Sequence, residues 1–170
     1  MDESYHKVEY DLESFEAVMK EMVETVQQTV VGVEVYSGLN SGTASGVIYH
    51  KEGNDYYVVT NHHVIHPDDR STPFNNVNIV YERHGMRFTI PNNRTEIIGI
   101  DATTDLAVIR FEAAENFPVA TFADSNDVAL GSMAIAIGNP LGFDYFGSVT
   151  MGVISGLSRY VRGSQYEVPF

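Results

Sequence analysis

The stretch Tyr56-Tyr-Val-Val-Thr-Asn-His-His-Val-Ile65 is strongly β-prone and then breaks off at Asn61, His62 and His63. An imidazole at a strand end lies beside the core yet near solvent. That setting suits a general base, because histidine changes charge close to neutrality. A histidine without catalytic duty is also common in such a place, so the motif needs a partner. Two aspartates supply candidates: Asp101 and Asp105 bracket Ala-Thr-Thr, and Asp105 opens the apolar run Leu106-Ala-Val-Ile-Arg110. A buried carboxylate that accepts a proton from an imidazole nitrogen fixes the ring's tautomer and stabilises the imidazolium formed in catalysis. Taken singly, either aspartate is more simply read as turn chemistry.

His62, His63 and His66 also raise metal binding, since zinc accepts imidazole ligands. Ligands must converge, however, and adjacent residues on a strand point to opposite faces. His66 falls just past the strand end and before Pro67, there is no cysteine, and no His-Glu-x-x-His helix occurs. The expectation is no metal site and no cofactor.

The elements around these residues follow from periodicity. Leu12, Phe15, Met19, Met22 and Val26 recur at spacings of three and four, which predicts a helix over about 11–28, with Asp11 and Glu13 at its positive end. Its stripe is expected to pack on the domain that follows, or else to meet a partner. From Val30 the period changes to two: Val31, Val33 and Val35 alternate with Gly32, Glu34 and Tyr36. Further strand-like runs cover 44–50, 55–60, 76–81, 86–91, 94–101, 105–111, 132–138, 147–155 and 157–162. The pieces between them are turn-rich, among them Ser37 to Gly42 and Pro67 to Asn76. Many short strands with turn signals indicate an all-β barrel or sandwich behind one N-terminal helix. The clearest internal boundary is the loop-like stretch from Glu112 to Gly131. Tyr56 and Tyr57 read as packing and rim. The loop Leu141-Gly-Phe-Asp-Tyr-Phe146 reads either as a buried joining loop or as a regulatory or subunit-contact loop.

Thr60-Asn-His-His-Val64, Thr104-Asp-Leu-Ala-Val108, Ala136-Ile-Gly-Asn-Pro-Leu-Gly142 and Ser148-Val-Thr-Met-Gly-Val-Ile-Ser-Gly156 together resemble the successive signatures of the HtrA/DegP-type trypsin-like serine proteases, in the family's order. The resemblance runs from about Val30 to Ser158. It implies a chymotrypsin-like double β-barrel with the active site between the barrels. Here the first barrel would be complete and the second partial: a helical segment over 1–29, the first barrel over 30–111, a connection over 112–131 and the first strands of a second barrel over 132–170. It makes His63 the general base and Asp105 its orienting partner, with His62 a neighbour and Asp101 in the preceding turn. It further implies an endopeptidase acting on unfolded or misfolded polypeptides through an acyl-enzyme, commonly as a trimer. Its place of work would be outside the cytoplasm, with any membrane anchor in a segment absent from this chain.

One member of the expected triad is missing. A serine hydroxyl needs a base to remove its proton and backbone donors to receive the oxyanion. The family supplies both through Gly-Asn-Ser-Gly-Gly, and no Gly-x-Ser-Gly-Gly occurs in these 170 residues. Ser45 and Ser155 precede a glycine, but in segments the family uses structurally. Glu167-Val-Pro-Phe170 resembles the approach to the nucleophile segment. The polypeptide is therefore expected to be inactive alone, as a truncated chain completed by a C-terminal fragment or by another copy. Ser148–Ser158 is then expected to pair with something other than its usual partners. The competing class is a catalytically dead chaperone-like or scaffold protein on a protease fold, although retention of both other triad positions argues for truncation.

Composition narrows the partners. With 44% hydrophobic and 19% charged residues the chain is neither disordered nor fibrous. A formal net charge of −13 repels nucleic acid and anionic membrane surfaces. Residues 1–10 lack the basic and apolar regions of a signal peptide, and no stretch approaches the length of a bilayer span. Without cysteine, redox chemistry says nothing of compartment.

Overall fold

In a computed structural model, which describes residues 11–67 and 73–157, the chain is mostly β with one N-terminal helix. Helix α1 spans Leu12–Val26. Asp11 caps it, accepting from the Glu13 backbone N–H at 3.1 Å and from the Ser14 hydroxyl. A 3-10 turn, Gln27–Thr29, ends it against the first strand. Its apolar stripe packs only in part: no residue of α1 is buried, and Leu12, Phe15 and Val18 stay exposed. Met22 and Val26 are exposed as well, but with Val23 they line an apolar cavity of about 460 Å³, shared with Val47, Met133, Ile135 and Ile137.

Seven antiparallel strands follow in one sheet: β1 Val30–Ser37, β2 Asn40–Glu52, β3 Asp55–Thr60, β4 Asn76–Arg83, β5 Met86–Ile90, β6 Thr95–Asp101 and β7 Leu106–Glu112. Their spatial order is β5-β4-β1-β2-β3-β7-β6. The sheet curls, and the Thr95 hydroxyl at the start of β6 donates to the Val77 carbonyl of β4 at 2.6 Å. Val31, Val33 and Val35 all reach the core, as their alternation indicates, beside Ile48, Val58, Ile79 and Ile109. Tyr56 is buried, stacking on Phe111 at 5.2 Å and meeting the edge of Phe117 at 5.3 Å. Its hydroxyl donates to the Glu115 carbonyl at 3.0 Å, which fastens the stretch after β7 across the sheet. Tyr57 faces the other way, toward His50.

Two sequence readings need correction. The segment Ser37 to Gly42 is not a loop. Gly38, with φ +60°, and Leu39 make a two-residue turn, and β2 already pairs with β1 at Asn40. Glycine meets the left-handed backbone there without a Cβ clash, so the hairpin closes tighter than the Ser/Gly-rich composition suggests. The strand leading to the histidines stops at Thr60, where the sequence reading ends it, but His62 and His63 lie on no strand: residues His62–Ile65 form a short helical turn, α2.

A second sheet pairs β8, Met133–Gly138, with β9, Ser148–Val153. Asn139 ties it to the first. This buried side chain donates to the Val31 carbonyl at 3.1 Å and accepts from the Gly147 N–H at 2.9 Å, while its own N–H donates to the Ser45 hydroxyl at 2.7 Å. In the same loop the Phe143 ring lies directly over Gly32, where any Cβ would collide with it. Arg87 donates to the Phe143 carbonyl at 2.6 Å. The aromatic loop 141–146 is thus docked on β1 and β5, with Leu141 and Tyr145 left exposed. The strand expected over 157–162 and the approach segment Glu167–Phe170 fall, but for Leu157, outside the described residues.

Candidate active site

Three residues at the start of α2 and one turn before β7 build the site. β3 and β7 are neighbours in register, with Thr60 opposite Ala107, so the chain leaving β3 emerges beside the chain entering β7. Asp105 does not begin the strand, as its sequence position suggests. It closes the turn at φ +54°, a left-handed backbone that costs a residue with a Cβ. That conformation turns its side chain and its carbonyl toward residues 61–63.

The contacts are dense. The His62 N–H donates to the Asp105 carbonyl at 3.0 Å, and the His63 N–H donates to Asp105 Oδ1 at 2.9 Å. His63 Nδ1 lies 2.8 Å from Asp105 Oδ2 and 3.1 Å from Oδ1. The carboxylate is largely shielded, at 13% exposure, while the His63 side chain is 53% exposed. An imidazole held by one nitrogen on a shielded carboxylate, with its side chain half exposed, has the geometry of a general base. An Nδ1–H donated to Asp105 makes Nε2 the accepting nitrogen of the neutral ring.

Asp101 belongs to the same turn but not to the pair. Its carboxylate accepts from the Thr104 hydroxyl and the Thr103 N–H, both at 2.8 Å. Those bonds, the hydroxyl first, hold its carboxyl below the ordinary carboxylate range. Asp101 thereby stiffens the turn that presents Asp105.

His62 and His66 go elsewhere. His62 is buried, and its ring meets the edge of His66 at 5.6 Å. His62 and His63 occupy a helical turn and not a strand, and successive side chains there diverge by about 100°. Among the described residues no group of three or more His, Cys, Asp or Glu could hold a metal ion.

Sequence reasoning passed over Asn61. Its side-chain Nδ2 donates to both the carbonyl and Oδ2 of Asp105, each at 3.2 Å. The available signal was an asparagine immediately before a helical turn, a position that calls for an explanation of where its side chain goes.

Comparison with known proteins gives this geometry its setting. Residues 44–169 match the family model of the trypsin-like peptidase domain. The chain is 35% identical over 159 residues to the serine protease Do-like HtrB of Bacillus subtilis, covering 83% of this chain and 31% of that one. It is 39% identical over 125 residues to the serine protease Do-like HtrA of Lactococcus lactis, covering 74% and 28%. The chain therefore spans about a third of the length of these relatives. Among solved structures, Deg5 superposes with a TM-score of 0.68 at 30% identity, over 91% of this chain and 69% of that one. The HtrA-type protease AlgW with a tripeptide superposes with a TM-score of 0.64 at 29% identity, over 83% and 40%. Family model, relatives and structural neighbours agree: the chain belongs to the trypsin-like peptidase domain family and, within it, to the HtrA/Do-like serine proteases.

Proposed function

We propose that this chain carries the base and its carboxylate for an HtrA-type serine endopeptidase that cleaves unfolded or misfolded polypeptides. The observation that carries this reading is the 2.8 Å contact between His63 Nδ1 and Asp105 Oδ2, with the carboxylate shielded and the ring half open. His63 Nε2 removes the proton from a serine hydroxyl as that oxygen attacks the scissile carbonyl. Asp105 stabilises the imidazolium so formed. The imidazolium returns the proton to the leaving amine as the acyl-enzyme forms, and a water deprotonated by the same ring then hydrolyses the ester.

The nucleophile is assigned to a Gly-x-Ser-Gly-Gly segment, which residues 1–170 do not contain. These residues alone are therefore expected to turn over no substrate, and a covering partner is part of the proposal. Met133, Val149, Met151 and Val153 of the second sheet are exposed, which supports burial against a completing segment or a second copy.

The test compares residues 1–170 alone with a chain extended by, or mixed with, a family nucleophile segment, using unfolded casein as substrate. Expected are no cleavage by the former and cleavage by the latter. His63→Ala in the active form should lower kcat by on the order of 10³-fold or more. Cleavage unaffected by His63→Ala overturns the mechanism. Casein held but not cut by the complete form supports the scaffold reading in its place.

A further inference from the structure

We infer that Asn61 is a positioning residue for the His63–Asp105 pair, its side-chain amide bracing the carboxylate because Asp105 has taken over the capping of α2. The inference rests on the base-and-carboxylate reading and adds a residue to it.

An asparagine before a helix ordinarily folds its side-chain oxygen onto the N–H of the second or third helical residue. Asn61 occupies that position with the expected extended backbone, φ −82° and ψ 148°, yet its side chain makes no capping bond. The donors at the helix start are already engaged. The His62 N–H is bonded to the Asp105 carbonyl and the His63 N–H to Asp105 Oδ1. Asp105, remote in sequence, is the cap.

The Asn61 amide is thereby released, and it turns to Asp105. Its nitrogen meets two acceptors, the carbonyl and Oδ2. The flipped amide would set its oxygen against both, so donation is the only favourable orientation. Oδ2 is also the oxygen nearer the His63 ring. The carboxylate is thus held on both sides, through Oδ1 by the His63 backbone and through Oδ2 by Asn61 and the ring. Without Asn61 it would hang on His63 alone, and a carboxylate rotates readily about its last torsion. The turn's own donors cannot substitute, because the Thr103 N–H and the Thr104 hydroxyl are committed to Asp101. Asn61 is exposed, so it serves no packing purpose that would account for the contact.

Two variants separate bracing from capping. Asn61→Leu keeps the size and loses the donor. Asn61→Ser restores a good cap but is too short to brace. In residues 1–170, proton NMR follows the downfield His63 Nδ1–H resonance, identified by its absence in His63→Ala. Expected in both Asn61 variants is a native fold with that resonance shifted upfield and broadened by exchange. In the nucleophile-bearing chain, kcat should fall about tenfold with KM within about twofold, the loss of one charge-assisted hydrogen bond. An unchanged resonance and kcat in Asn61→Leu overturns the inference, as does a defect that Asn61→Ser repairs, which would make Asn61 a simple cap. If even the unsubstituted nucleophile-bearing chain fails to cut, the proposed function falls, while the resonance still decides the role of Asn61.

Discussion

Asp105 grips His63 at two points, the backbone N–H through Oδ1 at 2.9 Å and the ring Nδ1 through Oδ2 at 2.8 Å. The start of α2 and the orientation of the imidazole are therefore set by one side chain. Asp105→Asn separates the two roles, since an amide offers a single acceptor oxygen. If that oxygen keeps the backbone bond, the amide N–H faces Nδ1, and the neutral ring must carry its proton on Nε2 instead. We expect an intact fold with kcat reduced by on the order of 10⁴-fold in the nucleophile-bearing chain. Nitrogen chemical shifts of the ring should report the exchanged tautomer. Retained activity with the tautomer unchanged would deny Asp105 its role.

The runs that became β3 and β7 were legible as strands, but their pairing was not, and the nearness of His63 to Asp105 was implied by family resemblance. The local backbone was not legible. The β-prone run breaks off at Asn61 in the sequence as in the structure, but nothing in His62-His-Val-Ile65 announces a helical turn, since valine and isoleucine favour strands wherever packing leaves the choice open. The long-range bonds from Asp105 to the amides of His62 and His63 turn the chain into a helical loop, and no local window contains them. The left-handed Asp105 is hidden for the same reason: the segment favours a strand start, and only the contacts with residues 61–63 offset its strain. The stripe on α1 was visible, but its fate was not, because Met22, Val23 and Val26 meet a sheet more than a hundred residues away in sequence.

The turn that presents Asp105 should loosen in acid before the sheet does. The Asp101 carboxyl is held below its ordinary value of 3.8 by the Thr104 hydroxyl and the Thr103 N–H. The folded turn therefore binds this proton less readily than the unfolded chain. Its contribution to stability is complete above the ordinary carboxylate pKa and disappears as pH falls through the lower folded value. Thr104→Val removes the larger cause, so the carbon resonance of the Asp101 carboxyl should titrate at higher pH than in the unsubstituted protein. An identical titration would mean that the hydroxyl does not hold it.

The β4–β5 hairpin offers a stabilising change far from the site. Arg83 pairs with Met86, leaving His84 and Gly85 as a two-residue turn with φ of 53° and 72°. Such a turn needs left-handed backbone at both positions, and asparagine tolerates it better than histidine. His84→Asn should raise the urea midpoint at unchanged slope, by an amount corresponding to about 0.5 kcal/mol. His84→Gly should gain less, because glycine also enlarges the freedom of the unfolded chain. A lower midpoint for asparagine would show that the histidine ring makes a compensating contact.

Asn139 is one joint between the two sheets, beside the docked Phe143 loop. Its amide bridges the Val31 carbonyl of β1 and the Gly147 N–H just before β9, and it is buried. Asn139→Ala leaves a donor and an acceptor without their partner, at about 1–3 kcal/mol for each group that water cannot reach. Asn139→Asp is the more telling change. It keeps the shape and can still accept from Gly147, but it presents a carboxylate oxygen to the Val31 carbonyl and buries a charge. If hydrogen bonding dominates, aspartate should be at least as damaging as alanine. If only filling the space matters, aspartate should be milder. Because the bridge reaches β1 and not α2, the His63 Nδ1–H resonance should persist in both variants while amide exchange accelerates across β8 and β9. Loss of that resonance together with the second sheet would show that the site needs the joint for its own integrity.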